Sequence, residues 1–140
     1  SILFNTSQRN LTKLQRVQNN AAKAILPSYP PIPSAEMVHN LHWLPIKQRI
    51  NFKIALLTYG ILNSHHPSYL SHLLTYRPVT RVTRNSDQQL LLEKRSATAF
   101  GSRAFSVAAP RIWNSIPLNI RTAASVDLFR RNLKTHYFSC

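Results

Sequence analysis

The chain has 140 residues, of which 44% are hydrophobic, and its 18 lysines and arginines outnumber four acidic residues, for a formal net charge of +14. This length and hydrophobic content suit one folded domain over residues 1–140 and exclude a wholly disordered chain. The charge favours polyanionic partners, nucleic acid first and an anionic membrane surface second, while no apolar run reaches the roughly 18 residues that a membrane span requires.

The first predicted element is a helix over residues 8–26 with two opposed faces. At about 100° per residue, one face is mainly apolar and carries Leu11, Leu14, Gln18, Ala21, Ala22 and Ile25. The opposite face is cationic and carries Arg9, Lys13, Arg16 and Lys23. No glutamate at i±4 neutralises these cations, so binding to phosphates would relieve their repulsion. An ordinary solvated helix surface is the alternative interpretation.

A proline-rich connector follows over residues 27–33. Proline lacks an amide donor and disfavours helix in the residue before it, so we expect a stiff spacer. A ligand for a small adaptor domain is the alternative. Ser34 is predicted to cap a short helix that ends near Asn40, and Trp43, Leu44 and Pro45 are predicted to form a corner.

The helix predicted over residues 45–63 is the most apolar and should be central to the core. Its main stripe consists of Ile46, Ile50, Ile54, Leu57 and Ile61. Three cations near its start, where the helix dipole disfavours positive charge, are Lys47, Arg49 and Lys53. Contact with phosphate would explain their placement, and extension of the side chains into solvent is the competing explanation. Another short helix is predicted over residues 67–74.

Residues 75–88 form a polar, basic stretch that is too rich in turn-forming residues for a helix. Its cations, Arg77, Arg81 and Arg84, are candidates for contacts to phosphates and sugars. A mobile surface loop is the alternative. Residues 89–94 are strand-like or a short buried run, which periodicity does not distinguish, and the pattern allows one small β-hairpin within 89–105.

The C-terminal region begins with a dense apolar stretch over residues 103–117, where Pro110 and Pro117 are predicted to limit helix to short pieces. Trp113 is interpreted as a packing anchor in preference to a platform for a base. Ser125 is predicted to cap a last helix. Its apolar face is formed by Val126, Phe129, Leu133 and Tyr137, with Arg130, Arg131 and Lys134 beside it.

Catalytic patterns are not found in the sequence. The acidic residues Glu36, Asp87, Glu93 and Asp127 are scattered, whereas two-metal phosphoryl transfer needs carboxylates that converge. The two glycines form no phosphate-binding loop, and the histidine pairs lack a second pair at zinc spacing. His136 and Cys140 are spaced like half of a truncated zinc site, but a lone His-x-x-x-Cys pair is common in sequences that bind no zinc. We therefore expect no enzymatic activity, no cofactor and no metal for the chain on its own.

Four blocks occur in a distinctive order. They are LQRVQNNAAKAI (14–25), LHWLPIKQRINFKIALLTYGIL (41–62), AFSVAAPRIWNSIPLNIR (104–121) and FRRNLKTHYF (129–138). Together they resemble the C-terminal region of LINE-type, non-LTR retrotransposon reverse transcriptases of the jockey-like group, and the resemblance spans almost the whole chain. That region follows the fingers and palm of the polymerase and corresponds to the thumb and what lies beyond it.

The resemblance implies a role in binding the template–primer and in contacting the palm. The Tyr-x-Asp-Asp metal motif of the palm has no counterpart here, so it does not carry polymerase activity over to this chain. It implies a thumb-like basic helix in 1–26, a helical core in 34–74 and a C-terminal subregion in 89–140. The first residue is Ser1 and not methionine, which suggests a fragment or a processed chain.

We therefore expect a mainly α domain of four or five helices packed around the helix of residues 45–63. The expected function is non-catalytic binding of RNA, DNA or their hybrid. A structural remnant without independent activity is one alternative, and a basic protein unrelated to retroelements that binds nucleic acid or membrane surfaces is another. In the absence of a signal-peptide pattern, we expect an intracellular location, nuclear or cytoplasmic.

Overall fold

A computed structural model describes residues 3–26, 32–78 and 89–139 of the chain. Within these ranges the regular secondary structure is helical and contains no β-strand. The helices are α1 (Gln8–Ile25), α2 (Ser34–Asn40), α3 (Ile46–Ser64), α4 (Ser68–Ser71), α5 (Phe105–Ser115), α6 (Leu118–Arg121) and α7 (Val126–Phe138). This architecture confirms the prediction of a small, mainly α domain. The described ranges contain seven α-helices where four or five were expected, and two of them, α4 and α6, are only four residues long.

Helix α3 lies at the centre of the fold, as predicted. It packs against both α5 and α7, and its stripe is buried at Ile50, Ile54 and Ile61. Leu57, which the helical period places on the same stripe, is 43% exposed. The buried surface of α3 is therefore interrupted at this position, because neighbouring helices cover only part of the stripe.

Three aromatic side chains from α3, α5 and α7 meet in the core. Tyr59 stacks on Phe129 with ring centroids 4.2 Å apart, and Trp113 lies 6.0 Å from Phe129. Phe129 is completely buried and Trp113 is 4% exposed. The Tyr59 hydroxyl donates a hydrogen bond to the Ala123 carbonyl at 2.6 Å. Trp113 is thus a packing anchor, as interpreted from the sequence, and its ring is not accessible to a base.

Helix α5 continues through Pro110, whereas the sequence predicted that prolines divide this region into short helical pieces. That prediction was wrong. An internal proline removes one backbone hydrogen bond and costs about 3 kcal/mol. The cost is offset because α5 buries a continuous set of side chains, namely Ala108, Ala109, Pro110, Ile112 and Trp113.

Helix α7 begins as predicted, since the Leu128 amide donates to the Ser125 hydroxyl oxygen at 3.2 Å. Its buried face consists of Phe129, Leu133 and Tyr137. Val126, assigned to the same face from its position, is 44% exposed, so the buried face of α7 begins at Phe129.

Helix α2 belongs to a second, smaller apolar cluster. Met37 and Val38 of α2 contact Ala22 of α1, and half-buried apolar side chains, among them Trp43, pack against them. The helix is preceded by Pro33 in the N-cap position, and Ser34 is its first residue without a side-chain capping bond. The prediction that Ser34 caps α2 was therefore wrong, because the N-cap position is one residue earlier, at Pro33.

The segment that leads into α5 does not form the small hairpin that the sequence allowed within 89–105. Leu91 is buried and makes an isolated antiparallel bridge with Tyr76. The Asn114 side chain of α5 pairs with both backbone groups of Leu91: the Leu91 N–H donates to Oδ1 and Nδ2 donates to the Leu91 carbonyl, each at 2.9 Å. On its other edge the segment pairs with residues 75–77, since the Arg77 N–H donates to the Leu90 carbonyl and the Leu92 N–H to the Thr75 carbonyl, each at 2.8 Å. The Asn114 side chain therefore takes the hydrogen bonds that a further strand would otherwise supply.

Arg121 of α6 is a buried cation that contacts the start of the same segment. Its Nε donates to the Ile116 carbonyl at 2.9 Å and its Nη1 to the Gln89 carbonyl at 3.3 Å. Burial lowers the pKa of its guanidinium below the ordinary value, since a low-dielectric surrounding disfavours the charged form. These two hydrogen bonds connect α6 to the turn before it and to the start of the segment of residues 89–96.

Candidate nucleic-acid interface

Helix α1 carries the candidate interface, and two glutamines determine which of its faces points inward. Gln18 is buried and its Nε2 donates to the Leu44 carbonyl at 2.9 Å. Gln15 Oε1 accepts from the Ile46 N–H at 3.0 Å, while its Nε2 donates to Gln18 Oε1 at 3.0 Å. The first amides of a helix have no partner within the helix, so Gln15 satisfies one of those of α3. These bonds fix the rotation of α1 about its axis.

The cationic face of α1 lies on the side away from these glutamines, by the helical period. All four of its side chains, Arg9, Lys13, Arg16 and Lys23, are exposed. None of them forms an ion pair with a residue in the described ranges. The face is therefore a row of positive charges without acidic partners in the described ranges. It lies on a helix whose opposite side is fixed by the hydrogen bonds of Gln15 and Gln18.

The three cations at the start of α3 do not form one surface. Lys47, Arg49 and Lys53 are all exposed. Arg49 and Lys53 lie about 40° apart around the helix, whereas Lys47 lies more than about 100° from both. A single linear polyanion can therefore contact Arg49 and Lys53 together, but it cannot contact Lys47 on the same face.

The cations of the basic stretch are placed unequally. Arg77 is exposed, and its backbone N–H donates to the Leu90 carbonyl at 2.8 Å. Arg81 and Arg84 lie outside the described residues. Of the proline-rich connector, only Ile32 and Pro33 fall within them.

Three further cations join Arg77 around a cavity of about 710 Å³ between residues 91–96 and α5. They are Lys94, Arg95 and Arg111, and sequence analysis did not select any of them as binding residues. Their sequence neighbourhood carries no signal for this arrangement, because it depends on Asn114 holding Leu91 across a separation of 23 residues.

The described ranges contain no group of three histidine, cysteine, aspartate or glutamate residues that could hold a metal ion. His39 and His42 instead contact the edge of the Phe138 ring, with centroids 5.8 and 6.2 Å away. His136 lies on α7, but Cys140, its proposed partner in a truncated zinc site, lies outside the described residues. What this part of the chain presents is positive charge suited to anions.

A comparison with protein-family models, with curated proteins and with solved structures finds no match to this chain. Nor is any helix in the described part of the chain long and apolar enough to cross a membrane.

Proposed function

We propose that this chain is a non-catalytic nucleic-acid-binding module that binds the phosphate backbone of a template–primer through the cationic face of α1. The observation that carries the proposal is the exposure of Arg9, Lys13, Arg16 and Lys23 on one side of α1, without an ion-pair partner among the described residues. Uncompensated cations on a rigid helix bind polyanions with release of counterions.

The parent protein that we propose is the reverse transcriptase of a jockey-like, non-LTR retrotransposon, acting in the nucleus or cytoplasm. The support is the ordered set of four sequence blocks that resemble its thumb and post-thumb region. Two of these blocks contact each other directly, because Gln15 and Gln18 of the first bind the corner before α3 in the second. In such a protein the palm supplies the chemistry, and this module holds the nucleic acid.

Phosphate contacts position a nucleic acid without reading its sequence. We therefore expect binding with little base specificity to duplex DNA, single-stranded RNA and RNA–DNA hybrid. On duplex DNA, log K should fall by about 0.9 per contacted phosphate for each unit of log salt concentration. Four contacted phosphates would give a slope of about −3.6.

Fluorescence polarisation with labelled strands between about 50 and 200 mM salt tests this expectation. The variant Arg9→Gln/Lys13→Gln/Arg16→Gln removes three charges from the proposed face while keeping helix-forming side chains. Its salt slope on duplex DNA should be shallower by about 2.7 than that of the parent chain, and its affinity at low salt should be correspondingly weaker.

The matched control is Arg130→Gln/Arg131→Gln/Lys134→Gln on α7, which also removes two arginines and one lysine but from a different exposed surface. If the control loses as much affinity as the α1 variant, binding depends on net charge alone and the proposed face is wrong. If the unmodified chain of 140 residues binds no nucleic acid at low salt, the module is a structural remnant. Flotation with anionic liposomes separates the remaining interpretation, binding to a membrane surface.

A further inference from the structure

The cavity between residues 91–96 and α5 is a second candidate binding site, separate from α1. Its volume is about 710 Å³, within the range of about 300–1,000 Å³ typical of small-molecule sites. The chain segments around it are fixed by hydrogen bonds: Asn114 holds Leu91 from one side, and the bridge between Tyr76 and Leu91 holds Arg77 beside it. The site is therefore formed before any ligand arrives.

The charge of this cavity is strongly unbalanced. Arg77, Lys94, Arg95 and Arg111 line it, and all four are exposed and without an ion pair in the described ranges. Among the described residues of the lining, Glu93 is the one carboxylate, and its Oε1 already accepts a hydrogen bond from Asn114 Nδ2 at 2.9 Å. Four cations against one engaged carboxylate favour a ligand with one or more negative charges.

The lining also offers apolar surface. Leu92 is 41% exposed and Val107 is half-buried, and both border the same cavity as the cations. A phosphate ion alone is far smaller than about 710 Å³ and would not use these side chains. A ligand that combines an anionic group with a flat apolar one matches both parts of the lining.

We propose that this cavity binds a nucleotide unit, with its phosphate at the arginines and its base against Leu92 and Val107. The unit can come from a free nucleotide or from a single strand, since both present the same phosphate-and-base chemistry. Arginine suits the phosphate because its planar guanidinium offers paired donors. The inference does not rest on the proposed function, because the cavity shares no residue with the cationic face of α1.

Isothermal titration of the full chain with adenosine monophosphate, inorganic phosphate and a single-stranded DNA ten nucleotides long tests the inference. In Arg95→Gln/Arg111→Gln, the affinity for the bound probe should fall at least about tenfold, as expected when two charge-assisted contacts are lost. Inorganic phosphate should bind more weakly than the nucleotide because it makes no apolar contact. The triple α1 variant should retain its affinity for adenosine monophosphate.

A matched control, Arg130→Gln/Arg131→Gln, removes the same charge from α7 and should leave the affinity unchanged. Binding of adenosine monophosphate that the cavity variant loses supports a free-nucleotide site. Loss of binding to the single strand alone supports a strand site. Absence of binding to both probes, or equal affinities in the cavity variant and the α7 control, overturns the proposal.

A second measurement uses the parent chain and so does not depend on a variant's folding. Phenylglyoxal modifies accessible arginines, and mass spectrometry locates the modified positions. A saturating bound probe should protect Arg95 and Arg111 but leave Arg130 and Arg131 reactive. Equal reactivity of all four arginines in the presence of the probe contradicts binding in the cavity.

Discussion

The aromatic core and the segment of residues 89–96 are stabilised in different ways. In the core, Tyr59, Trp113 and Phe129 come from three helices and fit by shape, with several apolar neighbours each. The segment forms no regular element, and it is held by the Asn114 amide, by the Arg121 guanidinium and by two backbone hydrogen bonds to residues 75–77. Truncation of a core side chain weakens many packing contacts at once. Removal of one of these polar groups breaks a few specific hydrogen bonds and leaves the rest of the packing in place.

This difference has a functional consequence for the two candidate sites. The cationic face of α1 projects from a regular helix, so its geometry follows from the helical period. The cavity next to residues 91–96 depends on an irregular segment, which is held by the Asn114 side chain and by backbone hydrogen bonds to residues 75–77. Changes in the core should therefore affect both sites through global stability, and changes at Asn114 should affect the cavity first.

The largest effect is expected from Phe129→Ala. Phe129 is fully buried and stacked on Tyr59, and truncating such a ring costs about 3–5 kcal/mol. Because small domains have a free energy of unfolding of about 5–15 kcal/mol, the variant should be close to unfolding. Urea denaturation followed by circular dichroism measures the loss.

The control for this prediction is Val126→Ala on the same helix, where the side chain is 44% exposed. It should cost less than about 1 kcal/mol, since partly exposed side chains lose little contact on truncation. Similar losses in the two variants would show that the core is not organised around the aromatic stack.

Much of the fold follows from the sequence because its determinants are local. The apolar periods of α3 and α7 and the cap at Ser125 depend on residues within a few positions of one another, and these elements are where the sequence placed them. The error at Pro110 involves contacts with distant residues. Pro110 remains inside α5 because that helix packs against α3, which lies far away in the sequence.

The candidate sites divide in the same way. The cationic face of α1 was predictable because a helical period alone groups its four residues. The cavity was not, since Arg77 and Arg111 are separated by more than thirty positions and come to the same cavity through contacts of Leu91 with both Tyr76 and Asn114. Asparagine is common in loops and at helix ends, so its presence in the sequence does not indicate such a pairing.

An intermediate effect is expected from Asn114→Ala. The change leaves the Leu91 N–H and carbonyl without their partner, and each unsatisfied buried group costs about 1–3 kcal/mol. Partial access of water to the segment should reduce the total to about 2 kcal/mol. The amide of Leu91 should lose protection in hydrogen exchange, while the amides of α3 remain protected.

Asn132→Ala on α7 is the matched control, because the side chain of Asn132 is half-buried and makes no hydrogen bond to a described residue. It should change stability by less than about 0.5 kcal/mol. An unchanged exchange rate at Leu91 in the Asn114 variant would contradict the assigned role of the amide, and the proposed cavity would then need another support.

The smallest effect, and the only gain in stability, is expected from His65→Gly. This variant tests whether backbone conformation contributes to stability in addition to core packing and the hydrogen bonds of polar side chains. His65 ends α3 in the left-handed region, with φ of 56°, where a side chain costs about 1–2 kcal/mol and glycine is favoured. Glycine also loses more freedom on folding, so the net gain should be about 0.5–1 kcal/mol in urea denaturation.

His65→Ala keeps the Cβ atom and should give no gain. Equal stabilities of the two variants would mean that the backbone at the end of α3 is not strained, and the stability of that helix would then depend on its packing alone.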